Sequence, residues 1–338
     1  MKKISSLFIF SISLLLFFLL SPCLCATKKE KCNPQDKKVL LRIKAAFNNP
    51  YHLASWNPDM ECCDWYAMKC DFKPPYRVIE LTIFSGNISG QIPDAVGDLP
   101  YLQTLVFRKL TDLTGQIPRA ITKLTHLKML RLSWTNLSGP VPAFLSELKN
   151  LTFLDLAFND LTGSIPPELS QLQNLDAIHL DRNKLTGTIP ESLGNFKGKT
   201  PDLYLSHNQL SGPVPRSLGN LNFSFQLDFS RNKLEGDVSF LFGKNKTLPI
   251  VDLSRNMFEF DLSKVEFNDN LQYLDLKHNK IYGSLPQGLV QLSNLQFLNV
   301  SYNGLCGQIP TGGKLQTFDS TAYFHNRCLC GAPLPSCK

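Results

Sequence analysis

From Arg77 to about Pro310, apolar residues recur in pairs two positions apart, once every 24 or so residues. The first members are Leu81, Leu105, Leu130, Leu154, Ile178, Leu203, Leu227, Val251, Leu274 and Leu298. The second are Ile83, Phe107, Leu132, Leu156, Leu180, Leu205, Phe229, Leu253, Leu276 and Val300. Apolar residues at i and i+2 share one face of a short strand, and the residues between them face the other way. One such strand buries too little to stand alone. Stacked in parallel, the strands share a continuous core, so the pattern predicts an elongated solenoid instead of two globules. Asn159, Asn183, Asn208, Asn232, Asn256, Asn279 and Asn303 end successive strands. An amide there can satisfy backbone groups of the turn and bridge to the next coil. Gly and Pro follow, as in Gly163/Pro166 and Gly187/Pro190, and turn the chain to the outer side. The repeat at 247–269 has Phe260 and Ser263 instead, which predicts an irregular outer side.

Solenoid ends expose core and need caps. Asn33 is a good N-cap, Pro34 suits the first helical position, and Asp36 sits near the positive end of the dipole. Val39, Leu40, Ile43, Ala46 and Phe47 form one apolar stripe, and Asn49 with Pro50 stops the helix. Further upstream, Lys2 and Lys3 precede an apolar run from Leu7 to Leu20 and a small-residue exit between Cys23 and Ala26. Residues 1–26 therefore read as a secretory signal, too short for a membrane span of about 20 residues. The expected organisation is a signal at 1–26, a cysteine cap at 27–76, a solenoid at 77–305 and a second cysteine cap at 306–338.

Ten cysteines and a formal charge of +7 sharpen this picture. Removing the signal leaves a charge near +5 and eight cysteines: Cys32, Cys62, Cys63 and Cys70, then Cys306, Cys328, Cys330 and Cys337. An even number in an exported chain argues for disulfides, and zinc spacing is absent. With the groups at opposite ends, three pairings remain possible at each end. The sequential one is adopted: Cys32–Cys62, Cys63–Cys70, Cys306–Cys328 and Cys330–Cys337. Sequons at Asn87, Asn136, Asn150, Asn222, Asn245 and Asn299 fit the same compartment. Asn299 lies in a strand pattern and is the poorest acceptor. No Lys/Arg-rich run suggests nucleic acid. Hydrolase, phosphate-binding and dinucleotide motifs are missing, and the six histidines are scattered, so neither an enzyme nor a cofactor or metal is expected.

Written as LxxLxLxxNxLxGxIPxxL, the repeat resembles that of plant-type extracellular leucine-rich repeat proteins. The ends narrow the match. Cys32 to Lys37, Leu40 with Leu41, Cys62 with Cys63, Phe318 with Asp319, and the run from Cys328 to Cys337 resemble the polygalacturonase-inhibiting protein family. The resemblance implies an α/β solenoid: a right-handed superhelix of about ten plant-type repeats with a parallel concave sheet and disulfide-stapled caps. It also implies a glycoprotein secreted to the plant cell wall that binds fungal endopolygalacturonases through the concave face and limits pectin degradation in plant defence. An antifreeze relative makes ice binding a second reading. A soluble ligand-binding or co-receptor ectodomain is a third.

Ten strands at about 4.8 Å give a face roughly 45 Å long, the size of a protein partner. Its expected contact residues fall in columns. Trp134 and Phe158 stand beside Arg108, Lys109 and Arg131, the aromatic and arginine chemistry of interface hot spots. Asp155, Asp181, Asp228, Asp252 and Asp275 form a carboxylate run flanked by Arg182, Arg231 and Arg255, with His179, Tyr204 and His207 among them. The resemblance places Asp155, Asp181 and Asp228 where the family's contact aspartates lie. It also marks Asp176, Asp202, Pro249 and Gln296 as positions tuning which enzyme is bound. Basic residues on this face are also candidates for pectin itself.

Overall fold

The computed structural model describes residues 31–338. The expected signal at 1–26, and the first residues of the N-terminal cap, lie outside them. A 13-stranded sheet runs the length of the molecule. Its concave members pair in parallel from Val78–Phe84 through Thr104–Gly115, Met129–Pro140, Phe153–Asp155 and Ala177–His179. The series continues through Asp202–Tyr204, Gln226–Asp228, Ile250–Asp252 and Tyr273–Asp275 to Phe297–Asn299. The register sets Leu81 opposite Leu105, Leu105 opposite Leu130, and so on to Leu274 opposite Leu298. Both apolar members of every repeat are buried, which gives one core along the whole solenoid.

The asparagines lock each coil to its neighbours. Asn183 Nδ2 donates to the carbonyls of Leu156 and Leu180 at 2.9 and 3.0 Å, while its Oδ1 accepts from Leu161 N at 3.0 Å. Asn208, Asn232, Asn256, Asn279 and Asn303 repeat the pattern. In the third repeat Thr135 holds the position, and its hydroxyl donates to Asn159 Oδ1. The ladder goes one rung further than the sequence pattern suggested. Asn326 Oδ1 accepts from Leu305 N at 3.1 Å, and Ala322 and Phe324 accept backbone bonds from Val300 and Tyr302. The 306–338 segment thus begins as a degenerate further coil.

On the outer side the α component gives way to 3-10 turns. Arg119–Lys123, Ala143–Glu147, Pro167–Gln171, Arg216–Asn220 and Gln287–Gln291 each follow an extended Pro. The repeat without Gly and Pro is irregular as expected: its turn shrinks to Leu262–Lys264, and Asp261 caps it by accepting from Ser263 N at 3.1 Å. The preceding repeat also shortens, to Ser239–Leu241 behind Val238. A second set of short parallel strands, including Ser211–Pro213, Lys233–Gly236 and Met257–Phe258, lines one flank.

The N-terminal helix, Pro34–Ala46, starts at Asn33, whose Oδ1 accepts from Gln35 N and Asp36 N. Val39, Leu40, Ile43 and Phe47 are buried, but Ala46 is exposed, contrary to the expected stripe. Phe47 fills that space instead, edge-on to Phe107 at 6.1 Å, and the short methyl of Ala46 stays outside it. Asp36 does more than favour the dipole. It is buried and accepts from Arg77 Nε and Nη2 at 2.8 and 2.6 Å and from Val78 N at 2.9 Å, tying helix to first concave strand. Met68–Cys70 pairs antiparallel with Val78–Phe84 and covers the open sheet edge. All four sequential disulfides are present. Among the described residues no helix is long and apolar enough to cross a membrane.

Candidate functional site

Each concave strand ends in the same backbone device. Ser85, Lys109, Trp134, Phe158, Arg182, His207, Arg231, Arg255, His278, Tyr302 and His325 all have φ between 53° and 57°. This left-handed conformation is uncommon for residues other than glycine. Repeated coil after coil, it sets one row of large side chains along the rim of the sheet.

Along that rim the structure brings the expected aromatics and cations together. The Trp134 and Phe158 rings stack at 3.6 Å, and the Arg182 guanidinium lies 4.9 Å from the Phe158 centroid. Trp134 is still 41% exposed. Arg108 and Lys109 approach the Phe84 ring at 5.4 and 5.5 Å. Arg131, one column inward, lies 5.0 Å over Phe153. Arg231 and Arg255 are exposed on the rim farther along.

The carboxylate run divides into two kinds. Asp155 and Asp275, expected to face solvent, are only 7% and 1% exposed. A buried carboxylate needs compensating charge and donors, and both have them. Asp155 meets Arg131 Nε at 2.8 Å and accepts from Ser133 Oγ and Ala157 N at 3.1 and 3.0 Å. Asp275 accepts from Lys277 Nζ at 2.8 Å and from Lys277 N at 3.1 Å.

Asp181, Asp228 and Asp252 are half-buried. Burial, with Asp155 and Asp228 nearby, pushes the Asp181 carboxyl up to about 7. Burial, with Asp228 and Asp275 as like charges, pushes Asp252 up to about 6. His179 stacks on Tyr204 at 3.9 Å and touches Phe153, with Nδ1 3.9 Å from Asp181 Oδ1. Burial lowers both His179 and His207 and raises Tyr204 to about 12. The centre of the face is therefore a mixed, partly dry charge field.

At the leading edge, Asp176 pairs with Lys199 at 2.7 Å. Asp202 Oδ1 accepts from Phe225 N and Gln226 N at 3.0 Å each, so part of that carboxylate serves the backbone. The carbonyl of Pro249 accepts from Gln272 N and Tyr273 N, and Gln296 N donates to the Gln272 carbonyl. Sequence reasoning missed an apolar strip here. Ile250, Tyr273 and Phe297 are register neighbours, the two rings stack at 4.3 Å, and Phe225 nearby is 53% exposed. Strand alternation held the signal, since the position before the first core residue shares a face with the position after it. A stack of His278, Tyr302 and His325, at 4.0 and 4.3 Å, was missed as well.

Five sequon asparagines, Asn87, Asn136, Asn150, Asn222 and Asn245, are exposed. Asn299 is half-buried in the concave sheet, with Oδ1 accepting from Ser301 N and Oγ. Cys32, Glu61, Cys62 and Cys63 cluster at the N-terminal cap, but disulfides hold all three sulfurs and only the Glu61 carboxylate is left to meet a metal.

Comparison with known proteins agrees with this architecture. The family described as Leucine rich repeat N-terminal domain matches residues 33–71. Leucine Rich Repeat matches 150–172, 174–196, 202–221, 270–292 and 294–314. A polygalacturonase inhibitor of Vitis vinifera is 69% identical over 334 residues, 99% of either chain. One from Pyrus communis is 70% identical over 329 residues, 97% of this chain and 99% of its own. Among solved structures, a plant ice-binding protein is 55% identical with a TM-score of 0.89, over 91% of this chain and 99% of that one. With a capped solenoid, a charged concave face and end-to-end likeness to these inhibitors, the chain belongs to the polygalacturonase-inhibitor family of leucine-rich repeat proteins.

Proposed function

We propose that the protein is a secreted inhibitor of the plant cell wall that binds fungal endopolygalacturonases through its concave face and so limits pectin degradation in defence. The observation that carries this reading is the stack of exposed Trp134 on half-buried Phe158, backed by Arg182 and set among Arg108, Lys109 and Arg131. Interfaces concentrate their binding energy in such aromatic and arginine clusters. The bound enzyme handles a polyanion, so its cleft carries both acidic catalytic groups and basic substrate-binding groups. The rim cations suit the first, and Asp181, Asp228 and Asp252 suit the second. Seated there, the inhibitor occupies or borders the cleft and keeps pectin out. The protein itself performs no chemistry in this reading.

The test is a reducing-sugar assay with a panel of fungal endopolygalacturonases. Inhibition of at least one enzyme at micromolar protein is expected. Trp134→Ala should weaken it at least tenfold with the melting temperature unchanged, since hot-spot truncations cost about 2 kcal/mol or more. A protein that inhibits none of the panel sinks the reading. Likeness to the plant ice-binding protein favours a second one. Thermal hysteresis of the same preparation tests it, although the columns of the concave face are charged and bulky, unlike flat rows of small polar residues.

A further inference from the structure

Asp155 sits in the middle of the proposed contact face, yet its side chain is almost wholly buried. The register sets it between Arg131 on one neighbouring strand and His179 on the other. Both of its oxygens are engaged from within: Oδ2 lies 2.8 Å from Arg131 Nε and accepts from Ser133 Oγ, while Oδ1 accepts from Ala157 N. Arg131, in contrast, keeps 32% of its side chain exposed and lies over the Phe153 ring. Nε is the inner nitrogen of the guanidinium. Nε makes no hydrogen bond among the described residues, so the link to Asp155 is an ion pair, and its charge attraction is what keeps the guanidinium at this place on the face.

We infer that Asp155 is a positioning residue: it acts on the partner only through Arg131, which it fixes over Phe153 as the presented cation. The physical reason is entropy. A free arginine loses rotamer freedom when it binds, and holding it beforehand removes much of that loss. The same construction recurs at the far end of the run, where buried Asp275 holds Lys277 at 2.8 Å. The acidic column therefore contains two classes. Asp181, Asp228 and Asp252 can meet a partner's cations, whereas Asp155 and Asp275 set out cations of this chain for a partner's acids.

This inference rests on the proposed inhibitory function, and a double-mutant cycle separates the two. Asp155→Asn, Arg131→Gln and the double variant are titrated against whichever polygalacturonase the wild-type protein inhibits. Asp155→Asn keeps the side-chain shape and should weaken binding about tenfold. Arg131→Gln should weaken it as much or more. The double variant should bind no worse than Arg131→Gln alone, because the residue that Asp155 serves is already gone. Losses that multiply would show Asp155 contacting the enzyme itself, and wild-type affinity in Asp155→Asn would show no role; either result overturns the inference. Arg131→Gln leaves a buried carboxylate unpaired and can unfold. Arg131→Lys, which keeps the charge but lacks the Nε contact, then supplies the background, and Asp155→Asn should cost there less than half its tenfold effect. Melting temperatures of all variants are read in parallel, since a merely structural loss would follow stability and persist in either background. Failure of the wild-type protein to inhibit any enzyme removes the proposed function; additivity with an active wild type removes only this inference.

Discussion

At the scale of single residues, proton binding couples the concave face to pH. Asp181, raised to about 7, holds its proton in the folded protein at pH values where the unfolded chain, with a carboxyl near 3.8, has released it. Between those values the native state binds more protons, so this group's contribution to stability is full below about 4 and is lost as pH rises through 7. Asp252, raised to about 6, acts in the same direction over a narrower window. His179, His207 and His278 are lowered by burial and act in the opposite sense, losing stability as pH falls below their ordinary value. A difference measurement isolates Asp181. Asp181→Asn should melt near the wild-type temperature at pH 3.5, where the carboxyl is neutral in both the folded and the unfolded chain, and increasingly above it as pH rises to 7.5. A constant offset across that range in differential scanning calorimetry would refute the assignment. In the acid range, protonation of Asp181 and Asp252 also makes the face more cationic, which favours an acidic partner.

At the scale of the coil, the asparagine ladder is the most demanding element. Asn208 donates to the carbonyls of Leu180 and Leu205 at 2.9 and 3.1 Å and accepts from Leu185 N at 3.0 Å, so it serves its own coil and the one before it. Asn208→Ala leaves these backbone groups without partners and should cost about 2–4 kcal/mol, read as a lower urea midpoint at unchanged slope. A shift below half a kcal/mol would mean that water replaces the amide freely. The ladder was legible in the sequence, as were the core pairs, because both follow from local alternation repeated ten times. Asn326 was harder to see: it lies 23 residues after Asn303, but the core pattern around it has decayed. The burial of Asp155 was not legible at all. It depends on Arg131 arriving from the neighbouring strand, together with Ser133, and no spacing within one repeat reports that. The left-handed rim was equally hidden, since none of its eleven positions is the glycine that usually signals that backbone.

At the scale of the whole molecule, a solenoid is only as continuous as its weakest junction, because each coil contacts its neighbours alone. The turns Ser239–Leu241 and Leu262–Lys264 are three residues long and lack the Pro that precedes the five-residue turns elsewhere. Hydrogen exchange followed by mass spectrometry should therefore find amides of 257–264 exchanging before their counterparts in 160–171. Equal protection would place the weak point elsewhere. The left-handed rim carries a consequence for how such a face changes its target. Every rim position admits charge, ring or hydroxymethyl, as Ser, Lys, Arg, His, Trp, Phe and Tyr already show. Val, Ile and Thr would meet their own branched carbons in that conformation, beyond the roughly 1–2 kcal/mol that any L-residue bears there. Proline cannot adopt it. The alphabet open to recognition along the rim is thus cut before any partner is met. A library built to redirect this protein should draw on Asn, Asp, His, Lys, Arg and the aromatics, and leave the β-branched residues for the strands.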